Sequence, residues 1–205
     1  MIETSKMIKT SARKAAETLK NLSPDLKIIA VTGKMASGKN YISSLLEKEG
    51  WKCIDADLLV HKAIDESTDR IYQTFKEEAE KQKLNILTAD RKINRRELGR
   101  LLFSAPELLQ KQEEIVYPVI TEMIKDFINQ NEKSLINATV LYKTPELLQL
   151  CQAVLYVQSS FIKRFCRCRK RDRLPARQIF KRFHAQRNLL DEYKKSGRPI
   201  IIIKN

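Results

Sequence analysis

The sequence is poor in the residues that build crosslinked or membrane-spanning proteins. It has four cysteines and five glycines in 205 residues, and no apolar run approaches the length of a membrane span. The cysteine spacings are not typical of a disulfide framework, and Cys166 and Cys168 have no second Cys/His pair at zinc spacing. The N-terminus lacks the apolar core of a secretory signal. We therefore expect reduced thiols, no membrane span and a cytoplasmic protein.

Acidic residues are also scarce. The chain has 25 acidic residues against 39 lysines and arginines, so its formal net charge is +14. Such a balance favours polyanionic partners, namely nucleotides, CoA-like phosphates, nucleic acid or an acidic membrane surface, and charge alone does not choose among them. Apolar residues make up 42% of the chain, which indicates a globular fold. Nothing in the sequence specifies an oligomeric state.

Short β-branched segments alternate with helical patterns along the chain. This order predicts an α/β fold with a five-stranded parallel sheet, whose strands are residues 27–32, 51–54, 135–142, 153–157 and 200–203. Residues 1–26 carry apolar positions at helical spacing and predict an N-terminal helical extension to a domain of residues 27–205. Residues 58–131 are helical by pattern, and Pro118 is expected to kink or break its helix.

The residues between the first predicted strand and the next helix have the pattern of a phosphate-binding loop. Residues 33–40 (GKMASGKN) fit G-x-x-x-x-G-K, with Asn40 where Ser or Thr is usual. Gly38 allows the backbone to approach a phosphate, and the following helix N-terminus adds positive potential. Lys39 would place a cation against the β and γ phosphates, and the Asn40 amide oxygen is a possible Mg²⁺ ligand.

Two carboxylates follow the second predicted strand. Asp55 and Asp57 are separated by one residue, so in an extended segment they point to opposite sides. One carboxylate near the phosphates could accept a proton from an attacking hydroxyl or help to hold the metal. Capping of the next helix by Asp57 is the structural alternative. His61 lies four residues after Asp57 and therefore on the same helical face.

A strongly basic segment lies near the C-terminus. Residues 163–187 contain eleven lysines and arginines and one acid, Asp172. In a phosphoryl-transfer enzyme such a helical segment supplies lid arginines that neutralise transition-state charge. In a nucleic-acid binder it would contact phosphates, but its phenylalanines stand at core-like spacing, which makes nucleic acid the less favoured partner.

These three features, in this order, resemble the dephospho-CoA kinase family. The resemblance runs from about Lys27 to the C-terminus and rests on the segments IIAVTGKMASGK, WKCIDADLLVHKAI, NRRELGRLLFSAPELLQKQEEIVYPVI, AVLYV and KRDRLPARQIFKRFHAQ. It implies a P-loop kinase with a helical CoA-binding insertion at about residues 58–131 and a basic lid with its following helix at about 160–187. The implied reaction is ATP-dependent phosphorylation of the ribose 3′-hydroxyl of dephospho-CoA, the last step of coenzyme A biosynthesis.

The resemblance also implies residue roles. Asp57 resembles the general base, Lys39 binds the ATP phosphates, and Arg171 resembles the lid cation. The implied substrate-binding residues are Asp55, His61, Arg95 and Tyr117. ATP with Mg²⁺ is the implied cofactor pair, and the predicted ATP-binding residues are Gly33, Lys34, Met35, Ala36, Ser37, Gly38, Lys39, Asn40, Tyr41 and Arg167.

The chain departs from the family pattern near this site. The family prefers Gly at Lys34 and Ala36, Ser or Thr at Asn40, and an acid at Thr144. Three alternatives therefore stay open: a kinase of altered activity, a kinase for another nucleoside or nucleotide, and a non-catalytic nucleotide- or nucleic-acid-binding protein of the same fold.

Overall fold

A parallel sheet of six strands carries the candidate site. The computed structural model describes residues 7–11, 14–22, 25–172 and 174–205. In these residues the strand order is β1-β6-β5-β2-β4-β3, and every neighbouring pair is parallel. The strands are β1 (Met7–Ser11), β2 (Ile28–Thr32), β3 (Lys52–Asp55), β4 (Ser134–Asn137), β5 (Ala153–Gln158) and β6 (Ile200–Lys204).

The sheet has one strand more than the five predicted. The additional strand, β1, lies within the segment that was predicted to be helical, and it pairs with β6 from Met7↔Ile200 to Ser11↔Lys204. Apolar residues at helical spacing dominated the prediction, but β6 has four consecutive isoleucines and offers a free edge of backbone groups. Pairing with Met7–Ser11 satisfies that edge, so tertiary contact outweighs local periodicity here.

Ten α-helices connect or flank these strands within the described residues. They are α1 (Ala15–Leu22), α2 (Lys39–Glu47), α3 (Ala56–Glu66), α4 (Thr68–Lys81), α5 (Arg95–Leu102), α6 (Pro106–Gln130), α7 (Pro145–Leu150), α8 (Phe161–Asp172), α9 (Ala176–Ala185) and α10 (Leu189–Lys194). Pro118 does not end its helix, because α6 continues through it, so a break at this position was a wrong prediction. The third predicted strand was too long, because β4 ends at Asn137 and residues 141–143 form a 3₁₀ helix.

One face of the sheet is closed by the first two helices. Alternate residues of the central strands, such as Ile29 and Val31, are fully buried beneath apolar residues of α1 and α2. Period-two alternation places these side chains on one face, and the helices cover them with one apolar stripe each. The buried set is Ala15, Leu19, Leu26, Ile29, Val31, Ile42, Leu46, Trp51, Leu135, Ala153, Leu155, Val157, Ile201 and Ile203.

The chain divides into two compact units. One unit consists of Met1–Asp55 with Ile124–Asn205 and holds the sheet, whereas the other is Ala56–Met123 and is helical. In the helical unit, the Asn94 side chain accepts a hydrogen bond from the Glu97 amide and so caps α5. Its fully buried side chains include Ile71, Phe75, Leu98 and Leu101. Among the described residues, no helix is both long and apolar enough to cross a membrane.

Candidate phosphate-binding site

The loop from Gly33 to Lys39 joins the carboxyl end of β2 to the N-terminus of α2. Gly38 has φ 100°, in the left-handed region, and α2 begins at the next residue. The Ser37 amide donates to the Lys34 carbonyl at 3.0 Å, which closes a tight turn within the loop. Such a turn followed by a helix N-terminus presents backbone N–H groups to an anion. Ala36 also has a positive φ of 58°, a conformation that suits the glycine expected there.

Gly33 is required for a different reason, because the backbone of β5 passes close to its Cα atom. A Cβ at this position would lie 2.6 Å from Ser37 Oγ and still closer to the Val157 carbonyl oxygen. The Val157 oxygen belongs to β5, a strand held by neighbours on both sides, so it cannot move aside. The absence of a side chain at Gly33 therefore lets the loop leave β2 beside β5.

We expect Gly33→Ala to lower the free energy of unfolding by about 2 kcal/mol, because the added methyl group overpacks against backbone. Urea unfolding followed by circular dichroism measures the change. Gly99→Ala is the matched control, since nothing lies within 4 Å of its added Cβ in α5. That helical glycine should give a gain of about 0.5–1 kcal/mol. A Gly33→Ala variant as stable as wild type would contradict the packing described.

Lys39 is held by a residue that follows β4. Its Nζ donates to Thr139 Oγ1 at 2.8 Å, and the Thr139 carbonyl accepts hydrogen bonds from Thr32 Oγ1 and the Tyr193 hydroxyl at 3.2 Å each. The Tyr193 hydroxyl also accepts from the Leu141 amide, and burial raises the pKa of Tyr193. This buried network fixes the Thr139 backbone, and Thr139 in turn orients the ammonium group of Lys39.

Thr139 is expected to act as a positioning residue for Lys39. One hydrogen bond is worth roughly 0.5–1.5 kcal/mol, so Thr139→Val should raise the KM for ATP by about threefold to tenfold. Thr139→Ser keeps the hydroxyl and should restore the wild-type value. Steady-state kinetics at varied ATP concentration check this, and equal KM values for the Val and Ser variants would exclude the proposed orientation of Lys39.

Three polar side chains meet at the ends of β3, β4 and the loop. Asn137 Nδ2 donates to Asn40 Oδ1 at 3.0 Å and to Asp55 Oδ2 at 3.2 Å. The Asn137 Oδ1 atom is buried and has no hydrogen-bond partner among the described residues. Asn40 Oδ1 and Asp55 Oδ2, which both face the Asn137 amide nitrogen, are oxygens of the kind that a hard divalent cation prefers.

A pocket of about 530 Å³ opens in front of the loop. It is lined by the loop residues 36–40 and by cationic side chains of α8, namely Arg167, Lys170 and Arg171. Lys39 and these three cations carry the positive charge of the lining, and the lining contains no acid. A pocket with this charge and with loop amides at its base suits a polyphosphate.

Two residues that are not part of the loop, Arg167 and Asn205, hold its carbonyl groups. Arg167 Nη1 donates to the carbonyls of Ala36 and Ser37 at 3.2 and 3.1 Å, and Asn205 Nδ2 donates to the Ser37 carbonyl at 2.9 Å. These bonds hold two loop carbonyls, and within the loop the Ser37 and Met35 amides already donate to the Lys34 carbonyl and the Gln186 side chain. Arg171 instead donates from Nε and Nη2 to Asp172, at 2.6 and 2.9 Å, while it also lines the pocket.

The other end of the loop is tied to the segment after α9. Gln186 Oε1 accepts from the Met35 amide at 2.6 Å, and Lys34 Nζ donates to the Arg187 carbonyl at 2.8 Å. Burial, with a smaller contribution from the Arg164 guanidinium, lowers the pKa of Lys34. Lys34 thus contacts backbone beyond α9, where a glycine would make no such contact.

The helical unit contains the remaining predicted residues. Asp57 lies in the first turn of α3 and is exposed, and His61 lies one turn further along. Arg95 pairs with Asp65, with an N–O distance of 2.6 Å, and contacts the His61 carbonyl at 3.5 Å. Tyr117 lies on α6 and is half-buried, whereas Asp55 and the exposed Tyr41 belong to the sheet unit.

Sequence reasoning missed several residues that hold this site. Asn137 and Thr139 were overlooked because residues 135–142 were predicted as one strand, which hid the strand end between them. Gln186 was part of the quoted HAQ segment but was given no role. Asn205, the last residue, also escaped notice because its partner, Ser37, is 168 positions away.

The parallel sheet, the glycine-lysine loop and the cationic pocket together define a P-loop kinase fold. Lys39 at the start of α2 and the polar side chains at the ends of β3 and β4 occupy the positions where such sheets bind ligands. A family model described as dephospho-CoA kinase matches residues 27–205. The chain therefore belongs to the dephospho-CoA kinase family, a family of ATP-dependent kinases.

Individual relatives agree with this assignment. A dephospho-CoA kinase from Treponema denticola is 36% identical over 184 residues, covering 87% of this chain and 82% of the relative. One from Treponema pallidum is 36% identical over 165 residues, 78% of each chain. A crystal structure from Thermus thermophilus is similar with a TM-score of 0.70 at 25% identity and covers 88% of both chains. A dephospho-CoA kinase structure from Campylobacter jejuni, with a TM-score of 0.56 at 24% identity, supports the fold.

Proposed function

We propose that this protein transfers the γ-phosphoryl group of ATP to the ribose 3′-hydroxyl of dephospho-CoA, which yields CoA and ADP in the last step of coenzyme A biosynthesis. The observation that carries the proposal is the family match over residues 27–205, which includes the whole loop that holds Lys39. In the reaction the hydroxyl oxygen bonds to the γ phosphorus. The bond from that phosphorus to the β–γ bridging oxygen breaks, and ADP leaves with that oxygen.

The loop and the cations of α8 would stabilise the triphosphate. Amides of residues 33–40 and the Lys39 ammonium would bind the β and γ phosphates. Arg171, after release from Asp172, would neutralise charge on the transferring group, while Arg167 keeps the loop in shape. In this proposal α8 and α9 form the lid, and Tyr41 borders the nucleotide.

Asp57 would act as the general base. Its carboxylate would take the proton of the ribose hydroxyl as the oxygen attacks phosphorus. His61, Arg95 and Tyr117 would bind the acceptor from the helical unit. The Arg95–Asp65 pair already orders one of these side chains. The closeness of Arg95 to the His61 carbonyl supports grouping these two residues in one acceptor-binding surface.

The residues near Asn40 fit Mg²⁺ as the second cofactor. Asn40 Oδ1 and Asp55 Oδ2, which both accept from the Asn137 amide nitrogen, provide one neutral and one charged oxygen donor. Asn40 and Asp55 would hold the ion or its waters, and the bound ion would neutralise charge on the β and γ phosphates.

A coupled ADP-release assay tests the function directly. The purified chain with ATP and dephospho-CoA should release ADP and form CoA, identified by mass spectrometry. A panel of adenosine, AMP, other nucleosides and shikimate-type alcohols under the same conditions serves as the acceptor control. Turnover with another acceptor, and none with dephospho-CoA, would overturn the acceptor while retaining the kinase class.

A further inference from the structure

A second cavity, of about 600 Å³, lies against α8 and α9. Its lining residues are Lys34, Phe161, Arg164, Phe180, Lys181, Phe183, His184 and Arg187, and none of them lines the phosphate pocket described above. Cavities of this size accept small organic ligands. The lining combines aromatic rings with cations and contains no acid.

Two phenylalanines offer exposed ring surface in this cavity. Phe161 and Phe180 stack on each other with centroids 5.8 Å apart and planes 27° apart. They remain 49% and 52% exposed, while Phe183, which contacts Phe161 edge-on, is buried. Exposed aromatic faces side by side are unfavourable in water, and a flat ring system laid on them would remove that surface from solvent.

Arg164 gives the cavity an unsatisfied cation. Its side chain is 7% exposed, its Nε donates to the Met35 carbonyl at 2.8 Å, and its guanidinium lies 3.9 Å from the Phe183 ring centroid. Its Nη2 is buried without a hydrogen-bond partner among the described residues. Burial lowers the pKa of Arg164, because a buried guanidinium loses hydration. Because Nη2 is enclosed, an anion in the cavity would act on this guanidinium through its charge and not through contact with Nη2.

We propose that this cavity is a second nucleotide-binding site, which takes a small nucleoside phosphate. The phosphate would pair with the exposed Lys181 and Arg187 beside the buried Arg164 guanidinium, and the base would stack on Phe161 and Phe180. A nucleoside phosphate fits because it joins a planar ring to an anion within the size of the cavity. The inference rests on these contacts and does not require the acceptor assigned above.

The test is the stoichiometry of ADP binding, measured by equilibrium dialysis of the full chain. Wild type should bind two ADP molecules, one at the phosphate pocket and one here. The double variant Phe180→Ala/Lys181→Ala should keep the first and weaken the second by roughly tenfold or more, since base stacking alone is worth about 1–3 kcal/mol. Both replaced side chains are exposed, so the fold should be retained.

The double variant Phe103→Ala/Lys163→Ala is the matched control. It removes an exposed phenylalanine and an exposed lysine that do not line the cavity, and it should bind two ADP molecules. Binding of one ADP by wild type, or two by the cavity variant, would overturn the proposal. It would also be overturned by a tenfold rise in the KM for dephospho-CoA in the cavity variant, which would make the cavity part of the acceptor site. A labelled oligothymidine that binds the cavity in place of ADP would reassign it to nucleic acid.

Discussion

Replacing Lys39 by alanine is expected to lower kcat/KM for ATP by roughly 10²- to 10³-fold, the loss typical of removing one preorganised transition-state contact. The ammonium group belongs to Lys39, the first residue of α2, and it is oriented by its hydrogen bond to Thr139, which follows β4. Thr139 contributes a hydrogen bond but no charge, so nothing at that position would replace the cation. The coupled ADP-release assay at varied ATP concentration measures the effect.

Lys170→Ala is the matched control for this prediction. Lys170 lines the same pocket but is exposed and lies on α8, so it contributes general positive potential only. Screening by solvent limits such a contribution, and we expect a change of less than about tenfold. Equal losses in the two variants would mean that the pocket attracts ATP by net charge and that Lys39 has no special place in it.

The sequence was most informative about features whose residues lie close together along the chain. The loop at residues 33–40 is recognisable because its glycines, lysine and flanking elements are contiguous, and in the structure a helix follows the loop as predicted, beginning at Lys39. The family was also recognisable from ordered segments. The loop prediction depends on residues within about ten positions of one another, where backbone geometry limits the alternatives, whereas the family resemblance depends on contiguous segments spread from about Lys27 to Gln186.

Predictions failed where a distant partner decides the outcome. Met7–Ser11 forms a strand because β6 lies beside it, and the partner of each residue in β6 is 193 positions away along the chain, as in Met7↔Ile200. The end of β4 is set by the polar cluster at Asn137, whose partners come from β3 and α2. A local pattern of apolar residues contains no information about such neighbours, so the sheet was counted one strand short and Asn137 and Thr139 were read as strand interior.

The three loop residues that depart from the family pattern each have a conformation or a contact that fits the fold. Ala36 keeps a positive φ that glycine would adopt without strain, Lys34 gains a contact with the Arg187 carbonyl, and Asn40 is held by Asn137. Tertiary hydrogen bonds at Lys34 and Asn40 therefore help the loop to keep its shape. Because the loop keeps its shape, its conformation gives no reason to expect a loss of activity.

Replacing Asp57 by asparagine is expected to lower kcat by roughly 10²- to 10⁴-fold, the usual contribution of a general acid or base. Asparagine keeps the size of this exposed side chain and removes its weak charge interaction with the N-terminus of α3, so stability should change little. ADP affinity should also stay close to the wild-type value, because Asp57 is not among the residues that line the phosphate pocket. Single-turnover kinetics with dephospho-CoA separate chemistry from product release.

Asp55→Asn is the control that distinguishes a base from any nearby carboxylate. Asp55 lies two residues earlier, at the end of β3, and accepts a hydrogen bond from Asn137 Nδ2. An asparagine at position 55 can still accept that bond through its amide oxygen. The Asp55→Asn variant should therefore differ from wild type mainly in the Mg²⁺ concentration that it needs for activity. Its kcat at saturating Mg²⁺ should change little. If Asp55→Asn loses the chemical step and Asp57→Asn retains it, the base lies at the end of β3, and Asp57 is left as an acidic residue in the first turn of α3.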